Sequence, residues 1–347
     1  MAPDETTRCP MIRLSGPVLA IVLALALSFQ LAAPVRAQCQ GENVLAGLPR
    51  EDLAAITAAA SAVPYSKGNF WRATRGEEVV TIAGTYHLSE PRHQATIKAL
   101  APQIQSATTV LVEAGPEEEK ALMDLMARDP SLMVITEGPT LYDQLPPEVW
   151  EDLSQAMADR GIPAFMAAKF RPWYVMAVLS IPPCAMAAMD DRDGLDQLVI
   201  DTARAANVPV RGLEPFDTIF TIFGQFGEKG LEDMLISTLA MEDRSEDFHR
   251  TLVDSYFSGE SRLTWELMRH VTLELPGYTP ERVETEFAEM EEILMNARNR
   301  AWIPVLTRAA AEGPVFAAFG ALHLSGKEGV LNLLEQEGFT IEPLDLD

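Results

Sequence analysis

The sequence predicts an α/β protein: a central mixed sheet built from two strand-Gly-x-x-His-helix-strand repeats, with a large helical insertion at about residues 216–310. Three observations lead there. An apolar, β-rich run ends in Gly84-Thr85-Tyr86-His87-Leu88, and a second, Val315-Phe316-Ala317-Ala318-Phe319, ends in Gly320-Ala321-Leu322-His323-Leu324. Between them lies a long region with the periodicity of helices.

In chain order, a helix is expected over 51–63, then two short strands over 69–74 and 78–83 joined at the turn signal Arg75-Gly76. Ser89 and Pro91 mark a helix start, 95–104 continue it, and 108–112 form a strand that ends at Glu113, which makes a βαβ unit. Helices follow over 146–160, 173–180 and 195–206, with a short strand over 208–213. The stretches 231–269 and 280–310 read as long helical stretches, the second disturbed by Pro304. At the C-terminus Ser325 and Glu328 have capping-box spacing for a helix through Leu334, and 339–341 is a closing strand. Both units close on a strand followed by an acid, Val112-Glu113 and Ile341-Glu342, so they look like a weak internal repeat.

Composition narrows the function classes. The chain has 347 residues, 48% of them hydrophobic, enough to bury a full core. Asp and Glu total 51 against 27 Lys and Arg, and the net charge of −24 opposes phosphate backbones and anionic lipid, so nucleic acid is not an expected partner. Arg8 and Arg13, the apolar stretch 14–31 and Val35-Arg36-Ala37 describe a signal peptide over 1–37, followed by one domain over 38–347. An uncleaved anchor is the rival reading; Pro17, Ser28, Gln30 and Pro34 interrupt the stretch and favour cleavage, leaving no stable membrane anchor. The expected location is therefore outside the cytosol, periplasmic or secreted. Arg36-Ala37-Gln38 before Cys39 is a poor acylation signal. Cys39 and Cys184 remain after cleavage; an oxidising compartment would permit their pairing, but spacing does not show proximity.

Histidine is scarce, with five copies, and two of them follow apolar strands three residues after a glycine. The carboxyl ends of strands in an α/β sheet open into the crevice where ligands bind, so His87 and His323 are expected there. Glu113, at the end of the next strand, would complete a two-histidine, one-carboxylate set for a divalent metal that activates water or polarises a carbonyl. Each motif alone is equally a hydrogen-bonded core or cap residue; the matched pair in matched context points to a site. Glu113 alone could serve as the acid before the Pro116 helix, and Glu117-Glu118-Glu119 reads as a solvated face. His93, His249 and His270 read as surface or satisfied residues. Lys169-Phe170-Arg171-Pro172-Trp173-Tyr174 fits either a carboxylate-binding patch or an arginine stem beside a buried tryptophan, and Met157, Met166, Met176, Met186 and Met189 read as core filler rather than a peptide groove. No serine elbow, Walker loop, dinucleotide fingerprint or His-Glu-x-x-His motif occurs in the sequence.

These residues resemble the TraB/GumN family. Gly84-Thr85-Tyr86-His87-Leu88, Val112-Glu113 and Gly320-Ala321-Leu322-His323-Leu324 with Gly326 and Gly329 carry the resemblance, and Gly194-Leu195-Asp196, Leu213-Glu214 and Arg298-Asn299 extend it through the middle. It implies a relation to the Tiki metalloproteases and, more distantly, to erythromycin-esterase-like and haem-binding ChaN-like proteins. On that pattern His87 and His323 are metal ligands and Glu113 a ligand or the general base, with manganese, cobalt or zinc as the cofactor. Arg298 and Asn299 would stabilise an oxyanion or the geometry of the site, and Asp196 and Glu214 would support it. Pro215 stands where a threonine is common, which weakens the case for Glu214, and the large Tyr86 would narrow the crevice. Two functions follow as expectations: an exported metal-dependent hydrolase acting on a peptide or small-molecule substrate, or a binding protein that sequesters a peptide, haem or metal on the same fold.

Overall fold

The computed structural model describes residues 39–189 and 193–346. The proposed signal peptide lies outside the described residues. Six strands form one mixed sheet in the order β4-β3-β5-β2-β1-β6. They are β1 (Phe70–Arg75), β2 (Glu78–Thr85), β3 (Thr109–Val112), β4 (Val210–Gly212), β5 (Val315–Gly320) and β6 (Thr340–Pro343). β4, β3, β5 and β2 are parallel neighbours, and β1 runs against both β2 and β6. The strands that lead into the two histidine motifs, β2 and β5, are thus side by side although they are far apart in the sequence.

Helices of seven residues or more are numbered α1 (Arg50–Ser61), α2 (His93–Ser106), α3 (Pro116–Arg128), α4 (Pro147–Asp159), α5 (Pro172–Leu179), α6 (Leu195–Ala205), α7 (Thr218–Leu239), α8 (Ser245–Phe257), α9 (Ser261–Thr272), α10 (Pro280–Glu291), α11 (Ala297–Glu312) and α12 (Val330–Gln336). Period-two alternation along the strands builds two cores. Val80, Ile82, Leu111, Ala317 and Phe319 pack on one face with Trp302, Leu306 and Ala310 of α11 and with α12. Ala83, Val110, Phe316 and Ala318 pack on the other with Leu100 and Ile104 of α2 and Val199 and Ala203 of α6. Covered on both faces, β3 and β5 are continuous apolar runs, as a parallel core strand requires.

Several elements differ from the sequence expectation. The first unit closes on β3, buried beside β5, whereas the second closes on β6 at the far edge of the sheet, mostly exposed and paired to β1. Glu342 therefore lies opposite Arg72 on that edge and is no counterpart of Glu113. The helical stretch over 231–269 comprises three helices: α7 starts earlier and bends at Gly227 (φ 65), and turns at 240–244 and at Gly259 (φ 72) set off α8 and α9. A π-helical segment, Glu292–Asn296, joins α10 to α11. Ser325 and Glu328 cap nothing, because α12 starts only at Val330 behind Gly329; the Glu328 carboxylate pairs with Arg300 instead. Glu118 is more than a solvated residue: its carboxylate accepts the Gly115 N–H at the start of α3.

Cys39 and Cys184 are disulfide-bonded, with Cα atoms 5.1 Å apart. The bond joins the first described residue to the 3-10 segment Pro183–Met189. No helix among the described residues is long and apolar enough to cross a membrane.

Candidate functional site

Four adjacent parallel strands each release a polar side chain just past their carboxyl ends: Glu214 after β4, Glu113 after β3, His323 after β5 and His87 after β2. This is the edge of a parallel sheet where the chain opens into a crevice. The two motif glycines make the convergence sterically feasible. A Cβ on Gly84 would stand 2.6 Å from Leu324 Cδ1 and 3.0 Å from Ala321 Cα, so the turn carrying His323 lies directly on it. A Cβ on Gly320 would meet Glu113 Oε1 at 3.3 Å, His87 Nε2 at 3.7 Å and His323 Cδ2 at 3.7 Å.

Arg298, in the first turn of α11, organises the inner side. Its Nε and Nη2 donate to the two Glu214 oxygens at 2.9 and 2.8 Å, and Nη2 also donates to Glu113 Oε2 at 2.6 Å. Nη1 donates to the Leu294 carbonyl at 3.0 Å and lies 3.2 Å from His323 Nε2. These contacts use all five N–H groups of the guanidinium. Arg298 is thus a fully engaged internal cation, and an oxyanion would reach it only by displacing one of these partners. The Glu214 carboxylate also accepts the Trp302 indole N–H at 3.2 Å, and the Trp302 ring stacks on His323 with centroids 4.5 Å apart.

His323 is buried, and both ring nitrogens are in use. Nδ1 is 2.6 Å from Asn299 Oδ1, while the Asn299 amide N–H donates to the Glu328 carbonyl at 2.8 Å. The amide is thereby oriented with its oxygen toward the ring, so His323 carries its proton on Nδ1 and turns a lone pair on Nε2 toward Arg298. Burial, helped by the Arg298 charge, lowers its pKa to about 4 against the opposite pull of Glu113. Asn299, itself buried, positions His323 and does not face the crevice.

Glu113 also accepts the Gly320 N–H at 2.6 Å through Oε1. Burial would raise its pKa, but the positive fields of His323, Arg298 and His87 and the Gly320 N–H hold it down to about 2. It is a carboxylate at any ordinary pH.

His87 is the outward member of the site, with a side chain 61% exposed. Its Nδ1 lies 3.2 Å from Oδ1 of Asp196, in the first turn of α6, off the direction of a well-formed hydrogen bond. Burial acts to lower the His87 pKa, but Asp196 and then Glu113 raise it to about 9; solvent around the exposed ring screens these fields. The backbone fixes this pair too. Leu195 N–H donates to the Tyr86 carbonyl at 3.1 Å, and a Cβ on Gly194 would stand 2.0 Å from the His87 carbonyl oxygen.

The remaining candidates fall elsewhere. Tyr86 does not narrow the crevice; it is buried in an aromatic layer with Tyr256 and His93, centroids 5.6 and 6.0 Å away. His93 is fully buried there rather than at the surface. Arg171 and Trp173 donate to the Ser131 and Leu132 carbonyls, which accounts for that aromatic-basic run structurally. Asp196 and Glu214 take larger parts than their sequence signal suggested, and Trp302 was missed, since nothing in sequence marks an indole that meets its partners across three elements.

The expected metal ligands do not present themselves to a single ion. Among the described residues no group of three or more His, Cys, Asp or Glu side chains is arranged to hold a metal. His87 Nε2 and Glu113 Oε1 border one space over Gly320, but His323 Nε2 and Glu113 Oε2 are turned to Arg298. As arranged, the donor set does not fit a three-ligand centre.

The chain is 22% identical over 286 residues to the uncharacterized protein YbaP of Escherichia coli (strain K12), an alignment that covers 78% of this chain and 98% of that protein. A model of the TraB/PrgY/gumN family matches residues 69–343, from just before β1 to the end of β6, and therefore takes in every residue of the site. On this match the protein belongs to the TraB/PrgY/gumN family.

Proposed function

We propose that the protein is a hydrolase that activates a water at His87 for attack on a carbonyl carbon of a peptide or small acyl substrate. One observation carries this reading: Glu113 Oε1 and His87 Nε2 both border the space over Gly320, at the mouth of a crevice made by four parallel strand ends. A water there has two acceptors for its protons, an imidazole nitrogen and a carboxylate oxygen. His87 takes the proton, and Asp196 behind it holds the ring and stabilises the resulting imidazolium. Arg298 keeps Glu113 ionised and in place.

The test is turnover of a panel of peptides and acyl esters by the wild type, His87→Ala and Glu113→Gln. Loss of a general base costs about 10²–10⁴-fold in rate. Unchanged turnover in both variants would defeat the proposal, and stoichiometric binding of an unaltered ligand would support the binding-protein reading instead.

A metal-assisted version is a second reading: His87 Nε2 borders the space over Gly320, while both Glu113 oxygens already accept N–H groups, from Gly320 and Arg298. A divalent manganese, cobalt or zinc ion would take His87 and Glu113 and polarise the water, and recruiting His323 would require Arg298 to leave it. Elemental analysis of protein purified without chelator, beside the His87→Ala variant, separates the two: about one ion per chain lost in the variant supports the metal. We also propose that the mature chain works in an oxidising compartment, periplasmic or extracellular; the Cys39–Cys184 disulfide supports this.

A further inference from the structure

The helical insertion contains a cavity of about 360 Å³ between α7, α9 and α10. Its wall includes Met234, Trp265, Met268, Phe287 and Met290, and the hydroxyls of Ser237 and Tyr278, 2.6 Å apart, reach it together. These are not the methionines that stood out in the sequence. The volume is in the range of small-molecule sites, and flexible thioethers beside aromatic rings suit an apolar guest.

The wall narrows the guest. Asp233, Glu286 and Glu289 line it and no lysine or arginine does; Lys229 and Arg282 pair with Asp233 and Glu286, and the remaining acid, Glu289, together with the apolar wall, disfavours an anion.

The cavity wall is also the back of the site. Trp265 and Phe287 belong to one apolar cluster with Leu322, Leu294 and Met295. Leu322 precedes His323 in the same 3-10 turn, and the Leu294 carbonyl, in the π-helical segment, accepts from Arg298. Such π segments are frequent at functional sites. We propose that this cavity binds the uncharged apolar group of the ligand, an aliphatic or acyl chain, and reports its occupancy to the site through the Leu322-His323 turn. As a substrate subsite it rests on the hydrolase reading above; as a binding site it does not.

The experiment titrates the full mature chain with 1-octanol and, separately, with octanoate, by calorimetry and by following the histidine imidazole signals in NMR spectra. Gly230 lines the cavity, and a Cβ there meets only Phe226 Cβ at 3.5 Å, so Gly230→Leu fills the space without a backbone clash. Saturable 1-octanol binding is expected, at least tenfold tighter than octanoate, weakened at least tenfold in Gly230→Leu and severalfold in Trp265→Phe, with the His323 signal shifted on binding. The same shift is expected in His87→Ala, so a chain that binds octanol and hydrolyses nothing retains the cavity and loses only the hydrolase. Absence of saturable binding, equal affinity in Gly230→Leu, or an occupied protein whose His323 signal does not move overturns the proposal.

Discussion

Asn299 Oδ1 lies 2.6 Å from Nδ1 of His323 and thereby decides which nitrogen of that ring faces Arg298. Asn299→Ala leaves a buried imidazole N–H and the Glu328 carbonyl unpaired, and the expected cost is about 1–3 kcal/mol in chemical denaturation. Asn299→Asp should instead raise the His323 pKa, visible as a later imidazole titration by NMR. An unshifted titration would show that the contact does not control the ring.

Arg298 separates two carboxylates that would otherwise face each other partly buried. Arg298→Met removes the shared cation and should destabilise the fold by about 3–5 kcal/mol, the usual penalty for an uncompensated buried charge. Combining it with Glu214→Gln should recover part of that loss, and a urea-denaturation cycle measures the coupling.

Because His323 is held neutral, with a pKa of about 4 against an ordinary 6.5, the unfolded chain binds its proton first as acid is added. Its contribution is therefore intact above pH 6.5 and is lost as pH falls from 6.5 toward 4, by roughly 3 kcal/mol in total. Stability measured against pH in metal-free protein should be less steep in this window for His323→Gln than for the wild type.

The His87 shift runs the other way. A base must be unprotonated, so with a pKa near 9 the rate should fall about tenfold per pH unit below that value. Asp196→Asn removes the carboxylate that raises it, and the rising limb of kcat/KM against pH should move toward pH 6.5 while the plateau drops. A limb that stays in place would mean that Asp196 is only structural.

The Cys39–Cys184 bond closes a long loop, and removing it relaxes the unfolded chain. Cys39→Ser/Cys184→Ser is expected to lose about 2–5 kcal/mol, read as a lower Tm than that of the oxidised wild type.

How much of this could be read in the residues depends on how local each feature is. β2 and β5 are continuous apolar runs with a histidine at a fixed offset, so His87 and His323 were legible, and Glu113 ends an equally plain strand. Arg298, Asp196 and Glu214 sit in helix starts and a short connection with no pattern of their own, and only the family resemblance drew attention to them. That Arg298 occupies the nitrogen expected to hold a metal was not legible, because it depends on how α11 leans on the sheet. The break-up of 231–269 into three helices depended on the turn at 240–244 and on Gly259, whose left-handed backbone is set by packing. The cavity likewise arises where three separately amphipathic helices fail to close on one another.

The neighbouring positions of β2 and β5 have a consequence for how the chain comes into being. During synthesis the first histidine motif emerges well before the second, and its strand cannot gain its parallel partner until β5 has also been made. A nascent or C-terminally truncated chain therefore holds half a site against an unpaired strand edge, and high contact order makes the final pairing slow. The four strand-end side chains are therefore brought together in one late step, and none of the arrangement exists before it.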